Sequence, residues 1–366
     1  MSTVSLRRLV GFFDRQARLS VFVGMALTLL FLWVQCLECL GGNGAEGFIV
    51  GPLSWSPDGK WIAYSGQGGR VLFKANYSGN DTMVLKGEDN GGLLLYPTWC
   101  RDSTSIVYAW VTQDACEIRK LHTLGGTEIS IFKSHGEIRE LRLSPDGGWV
   151  SFVLREDEKS SLYMLAIDGE GGPLLVADSV SGREYSHSWD PESKALAVIR
   201  QETDSNGYRQ YLELVTIPDK KTSRLDACGR RILSVEWSPK SDLIAYCARS
   251  DVGVNRVWTV GSGGTLPRAL STGSIDLQPD WSPDGELLAY VKTIYVDGGK
   301  GENRIFIISR TGVGEAELEK VGLGSVLFSP KWSPDGRRIA CIVATSSTDG
   351  NFETKLVVVE PCRSPK

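Results

Sequence analysis

One short phrase appears seven times along this chain and dictates its architecture. Trp55-Ser56-Pro57-Asp58-Gly59, followed by Lys60-Trp61-Ile62-Ala63-Tyr64, returns intact or worn at Trp99, Leu143, Trp189, Trp237, Trp281 and Trp332. Successive spacings are 44, 44, 46, 48, 44 and 51 residues. A fixed period of about 20–50 residues marks a repeat architecture, in which each unit buries its apolar face only against its neighbours. The clearest later copies are Trp281-Ser282-Pro283-Asp284-Gly285 and Trp332-Ser333-Pro334-Asp335-Gly336. The third copy replaces the tryptophan and reads Leu143-Ser144-Pro145-Asp146-Gly147.

The phrase predicts a strand end, a tight turn and a new strand. Proline presets φ for a turn, aspartate bonds the nearby backbone, and glycine accepts a positive φ. The apolar run that follows is rich in β-branched and aromatic residues, as strands are. In the third repeat two further strand-like runs, Ser161–Ile167 and Pro173–Ala177, flank Asp168-Gly169-Glu170-Gly171-Gly172. Four strands per period of about 45 residues is a propeller blade. The sequence therefore predicts an all-β, seven-bladed β-propeller of four-stranded blades over residues 46–362. The recurring tryptophan is expected to pack between adjacent blades. The last repeat lacks an outer strand of its own, and residues 44–50 are expected to supply it and close the ring, because an open sheet edge is a liability.

Residues 1–45 stand outside the repeat. Residues 1–20 carry Arg7, Arg8, Arg15 and Arg18 against the single acid Asp14. Val21–Val34 is apolar apart from Thr28, and the run continues to Leu40 with interruptions at Gln35 and Glu38. About 20 apolar residues span a bilayer, and about 7–15 form the core of a secretory signal. Residues 21–40 fit an uncleaved transmembrane signal anchor or a cleaved signal. In either case the arginines stay in the cytoplasm and the propeller lies outside it, most simply tethered to a bacterial inner membrane as a single-pass protein or released to the periplasm.

The phrase and the Ile/Leu-Ala-Tyr strand behind it resemble the repeat of TolB-like β-propellers. The resemblance covers about residues 48–361. It implies a binding platform, since the propeller serves that role in periplasmic members and before the hydrolase domain of prolyl oligopeptidase-like enzymes. The α/β domain that precedes the periplasmic propeller, and the hydrolase that follows the peptidase one, have no counterpart expected here: about ten residues separate Leu40 from the first blade, and the chain ends at Lys366.

Chemistry-bearing motifs are sparse. Neither a Gly-x-Ser-x-Gly nucleophile elbow nor a Gly-x-x-x-x-Gly-Lys phosphate loop occurs. The three histidines, His122, His135 and His187, are scattered along the chain with no helical ligand spacing, so no metal site and no cofactor is expected. The aspartates of the phrase, Asp58, Asp146, Asp284 and Asp335, read as turn caps. Asp297-Gly298-Gly299-Lys300-Gly301-Glu302-Asn303 offers oxygen ligands suited to calcium, but matches no EF-hand spacing and reads as a solvated loop. A net charge of −4 advertises no basic face for nucleic acid. Eight cysteines occur. Cys36 and Cys39 fall in the apolar segment; among the other six, Cys100 with Cys116 and Cys341 with Cys362 could pair, and buried free thiols are the alternative.

Binding is expected on the rim formed by the connections between second and third strands, which are long and varied. Asn206, Tyr208, Asn255, Tyr295, Asp297, Asn351 and Phe352 are the candidate contact residues, with a protein, peptide or envelope glycan as partner. The alternatives are a glycan-cleaving or lactone-hydrolysing enzyme at the channel mouth and a structural spacer or assembly factor. For a glycosidase, which uses two carboxylates about 5–10 Å apart, Glu184, Glu236 and Asp280 are the acids near inner strands.

Overall fold

A computed structural model describes residues 49–361 except 79–80, 88–89, 182–184, 205–206, 218, 227–230, 251–252, 274, 297–299, 319–325 and 347–351. The described residues form seven antiparallel sheets in chain order, six of four strands and the last of three. In the first blade the strands are Val50–Trp55, Trp61–Gly66, Val71–Asn76 and Thr82–Lys86, inner to outer. The innermost strands of the other blades are Leu93–Trp99, Glu137–Leu143, His187–Trp189, Arg231–Trp237, Asp276–Trp281 and Val326–Trp332.

The turn chemistry follows the phrase, with the serine as its hinge. The Ser56 hydroxyl donates to Asp58 Oδ1 (2.6 Å) and accepts from the Trp61 amide (2.9 Å), while Asp58 Oδ1 accepts from the Lys60 amide (3.1 Å). Gly59 completes the turn at φ +70°. Ser144/Asp146, Ser282/Asp284 and Ser333/Asp335 repeat the arrangement. The four aspartates are held below their ordinary pKa. Burial opposes this at Asp58, Asp146 and Asp335, but the serine and backbone donors outweigh it; at Asp284 the Ser282 bond is the largest influence.

Seven apolar clusters fill the seven seams between blades, and each contains one residue of the repeated tryptophan position: Trp99, Leu143, Trp189, Trp237, Trp281, Trp332 and Trp55 in ring order. The packing role expected of these residues is what the structure shows. Three indoles also tie blades together, Trp281 Nε1 donating to the Glu236 carbonyl (3.1 Å), Trp55 Nε1 to the Lys331 carbonyl (3.0 Å) and Trp189 Nε1 to Ser151 Oγ (2.8 Å).

The ring closes where blade 7 meets blade 1. Trp55, Ile62 and Tyr64 pack with Ala340 and Ile342. The Ile49 amide donates to Thr354 Oγ1 on the third strand of blade 7, Phe352–Val359. The expectation for residues 44–50 is thus corrected at one end: Val50 pairs with Ser65 in blade 1, because the bulged start of that strand is needed to complete the first sheet. Residues 44–48 and the apolar segment 21–40 lie outside the described residues. No helix among the described residues is long and apolar enough to cross a membrane.

Cys100 and Cys116 are both buried free thiols, which corrects the pairing considered for them. Cys341 is also free and buried, and Cys362 lies outside the described residues. Burial pushes the Cys100 and Cys341 thiols up to about 12 and Cys116 to about 11, so none is a reactive thiolate at neutral pH.

Candidate functional site

The rim opposite the Asp-Gly turns is built differently from the expected loops. In blade 4, Ala195–Asp204 and Gly207–Thr216 pair along their whole length, ending at Asp204↔Gly207. In blade 6, Leu287–Val296 and Lys300–Ser309 do the same, ending at Val296↔Lys300. The stretches read as loops, 204–208 and 295–303, are therefore mostly ladder. Thr293-Ile294-Tyr295-Val296 is β-branched and aromatic throughout, so it extends the strand. Gly301, opposite Tyr295, leaves room for the ring.

These hairpins hold two of the candidate residues on rigid backbone. Tyr208 is 57% exposed and Tyr295 63% exposed. The Tyr208 hydroxyl donates to Gln201 Oε1 (3.0 Å) and accepts from Gln210 Nε2 (2.8 Å), and Gln210 Oε1 accepts the Ile232 amide of blade 5 (3.0 Å). Asn255 lies between them on blade 5, half-buried, paired with Arg249 and bridged to Ile275. Its Oδ1 is buried without a hydrogen-bond partner among the described residues. Phe352 opens the third strand of blade 7 opposite Ser346, and its side chain lies outside the described residues, as do Asn206, Asp297 and Asn351. Neighbouring blades 4, 5 and 6 thus bring Tyr208, Asn255 and Tyr295 to one rim.

The second concentration of polar groups fills the central channel. Arg142 of blade 3 donates through Nε to Glu140 Oε1 (2.7 Å) and through a terminal nitrogen to Glu236 Oε2 of blade 5 (2.7 Å). Glu140 Oε2 also accepts from the Ser186 amide and hydroxyl (both 2.8 Å) and lies 3.1 Å from His187 Nδ1. His187 Nε2 meets Ser151 Oγ at 2.8 Å, and Trp189 Nε1 donates to the same hydroxyl (2.8 Å). On the other side Lys331 donates to Asp280 Oδ1 (2.5 Å), whose second oxygen accepts the Trp332 amide (2.8 Å). Tyr185, in the connection to blade 4, has Arg142 and Lys331 within about 6 Å of its ring at 5.8 and 6.0 Å.

Electrostatics follow from these contacts. Burial alone would raise the Glu140 carboxyl, but His187 and Arg142 outweigh it and hold it down at about 2. Burial works against the Arg142 charge, and Glu236 and Glu140 nevertheless raise its pKa. Burial raises Asp280; Lys331 offsets only part of that rise, and Glu236 adds repulsion. Burial disfavours the Lys331 ammonium, yet Asp280 and Glu236 push its pKa up.

Glu236 and Asp280, the acids proposed for an enzymatic alternative, are thus both engaged by cations, and Glu184 lies outside the described residues. Reading the sequence missed Glu140, Arg142, Tyr185, His187 and Lys331. A signal for some of them exists. Aligning the repeats puts Ser54, Thr98, Arg142, Ser188, Glu236, Asp280 and Lys331 at one position, immediately before the phrase, and that position lies on the innermost strand. A second signal is x-Pro-x-Trp. Tyr96, Gln278 and Ser329 precede Pro97, Pro279 and Pro330 at inner-strand bulges and have positive φ (55°, 53° and 52°). Left-handed non-glycine residues cost energy and re-aim side chains, here on the channel wall.

Comparison with known proteins agrees with this geometry. Residues 71–325 match the TolB beta propeller domain. The Tol-Pal system protein TolB of Francisella tularensis is 21% identical over 298 residues, which cover 80% of this chain and 66% of that protein, so the chain spans just under two thirds of that relative. A putative TolB from Agrobacterium tumefaciens superposes with a TM-score of 0.52 at 18% identity, covering 79% of this chain and 97% of that one. Oligogalacturonate lyase from Vibrio parahaemolyticus superposes with a TM-score of 0.63 at 12% identity, covering 88% and 92%. At such identities the two superpositions speak to fold alone. With its ring of seven blades, six of the seams sealed by a tryptophan and one by Leu143, and a family match across most of them, the chain belongs to the TolB β-propeller domain family.

Proposed function

We propose that this propeller is a non-catalytic binding platform of the cell envelope, held outside the cytoplasm by residues 21–40 and engaging a protein partner through the rim of blades 4–6. The observation that carries this reading is the pair of fully laddered hairpins that present Tyr208 and Tyr295 to solvent. Rigid exposed aromatics bury much area at low entropic cost. The family supports the reading, since its TolB relative is named for the Tol-Pal system. The Arg-rich flank before Val21 supports the orientation.

A channel-mouth enzyme would need acids free to exchange protons with substrate. Glu140, Glu236 and Asp280 each already serve a cation or backbone donors, which favours a bracing role for them. Photocrosslinking from positions 208 and 295 in native membranes tests the proposal. A protein adduct from either position that is lost when the other tyrosine is changed, Tyr295→Ala or Tyr208→Ala, supports it; turnover of a glycan or lactone that disappears in Glu236→Gln or Asp280→Asn replaces it with the enzyme. Protease added outside the inner membrane should digest the propeller, and full protection would overturn the orientation.

A further inference from the structure

We infer that the blade 5 edge of this rim docks an acidic segment of the partner protein. The inference rests on the reading of the rim as a partner surface. Three arginines stand at the same end of three consecutive strands of blade 5. Arg231 opens the inner strand, Arg249 ends the second strand Leu243–Arg249, and Arg256 is the second residue of the third strand, Asn255–Gly261. All three are exposed, as is Arg209 near the same end of blade 4. No side chain of the four makes an ion pair or hydrogen bond among the described residues. Arg230 and Asp251, the nearest charges in sequence, lie outside the described residues.

Most of the other described arginines are paired with carboxylates. Acids outnumber bases, 44 to 40, and Arg119, Arg142, Arg200, Arg224, Arg304 and Arg310 each meet a carboxylate. Arg231 and Arg249 are moreover direct cross-strand partners. Like charges facing each other across a ladder destabilise a sheet, so the fold gains nothing from this pair. A local rule broken without a structural gain marks a functional site.

The chemistry of the surroundings fits a peptide carrying carboxylates. Guanidinium forks grip carboxylates bidentately and lose little on desolvation. Neighbouring strands are about 4.8 Å apart, so Arg231 and Arg249 reach two acidic side chains of one extended segment. On the same rung as Arg249, Asn255 offers a buried unpaired carbonyl oxygen, an acceptor for a backbone N–H. Tyr208 adds an aromatic surface from blade 4. An anionic membrane surface would want a broad basic face, whereas this patch gives way to Glu202 and Glu213 on blade 4 and to Asp178 in the connection that leads into it.

The test uses the full chain in detergent and a fluorescent Glu-rich peptide beside its Gln counterpart. The Glu peptide should bind selectively and lose affinity with added salt. Arg231→Gln/Arg249→Gln should weaken it at least about tenfold, or about 1.4 kcal/mol, while the melting temperature stays level or rises because the repulsion is gone. Arg310→Gln/Arg337→Gln makes the same charge change on the opposite rim and should leave binding unchanged. Equal binding of both peptides, no binding at low salt, unchanged affinity in the rim double variant, or capture of oligogalacturonate or anionic vesicles in place of the peptide would each overturn the inference. If Tyr208 and Tyr295 govern crosslinking to a partner and the arginines do not, this inference fails alone; if no partner is crosslinked at all, the platform reading fails with it.

Discussion

The Tyr185 hydroxyl lies 3.1 Å from Ser329 Oγ, a contact between the connection to blade 4 and the inner strand of blade 7, on opposite sides of a seven-membered ring. Arg142 makes a second crossing, from blade 3 to Glu236 of blade 5. These two links brace the channel, where each inner strand has one edge without a β-neighbour. Arg142→Met should leave the buried Glu140 and the half-buried Glu236 without their shared cation and cost about 3–5 kcal/mol. Tyr185→Phe removes one neutral hydrogen bond and should cost about 0.5–1.5 kcal/mol. Urea denaturation decides it, and an Arg142→Met penalty no larger than that of Tyr185→Phe would remove the bracing role.

Acid should loosen the same brace. Glu140 moves from an unfolded value near 4.5 to about 2 in the folded protein. A carboxylate held down in this way adds stability that is complete above pH 4.5 and is lost as the pH falls toward 2. The shift corresponds to about 3 kcal/mol. Asp280, whose pKa is raised mainly by burial, acts with opposite sign and costs stability as pH rises past its unfolded value of 3.8. Urea midpoints of Glu140→Gln and parent should differ at neutral pH and converge between pH 4.5 and 2; parallel curves would show that Glu140 is not the titrating group.

Trp281 seals the seam between blades 5 and 6 and donates to the Glu236 carbonyl. Its replacement by alanine should cost about 3–5 kcal/mol by opening a cavity. Calorimetry should show the loss, and a change under about 1 kcal/mol would mean that the seam collapses around the gap.

The turn glycines should separate cleanly by environment. Gly285 sits at φ +72°, and an added Cβ would lie 2.8 Å from Ser238 Oγ of the neighbouring blade. Gly285→Ala should cost about 1–3 kcal/mol. Gly263 has nothing within 4 Å and no positive φ, so Gly263→Ala should stay within about 0.5 kcal/mol of parent or stabilise slightly. Equal melting temperatures for the two variants would sink the distinction.

Tyr208→Ala and Tyr295→Ala should each weaken partner capture by about 1–3 kcal/mol and change stability by no more than about 0.5 kcal/mol, because both rings are exposed. Titration of the captured partner against each variant, beside its melting curve, checks both halves. Lost stability with intact capture would make these residues structural.

The blade count, the place of the inner strands, the turn chemistry and the seam residues were all legible in the chain of residues. Each of these is local: Ser-Pro-Asp-Gly closes its own turn, and a tryptophan at fixed offset reaches the next blade wherever the ring is built. What meets across the channel depends on the closed ring. Arg142 and Glu236 are 94 residues apart and Tyr185 and Ser329 are 144 apart, and no period within the chain encodes which sides of the ring will face each other. The same limit applied at the rim. Glycine and asparagine near Tyr208 and Tyr295 read as loop, but cross-strand pairing extended both hairpins. Pairing energy depends on the partner strand as much as on the residue itself.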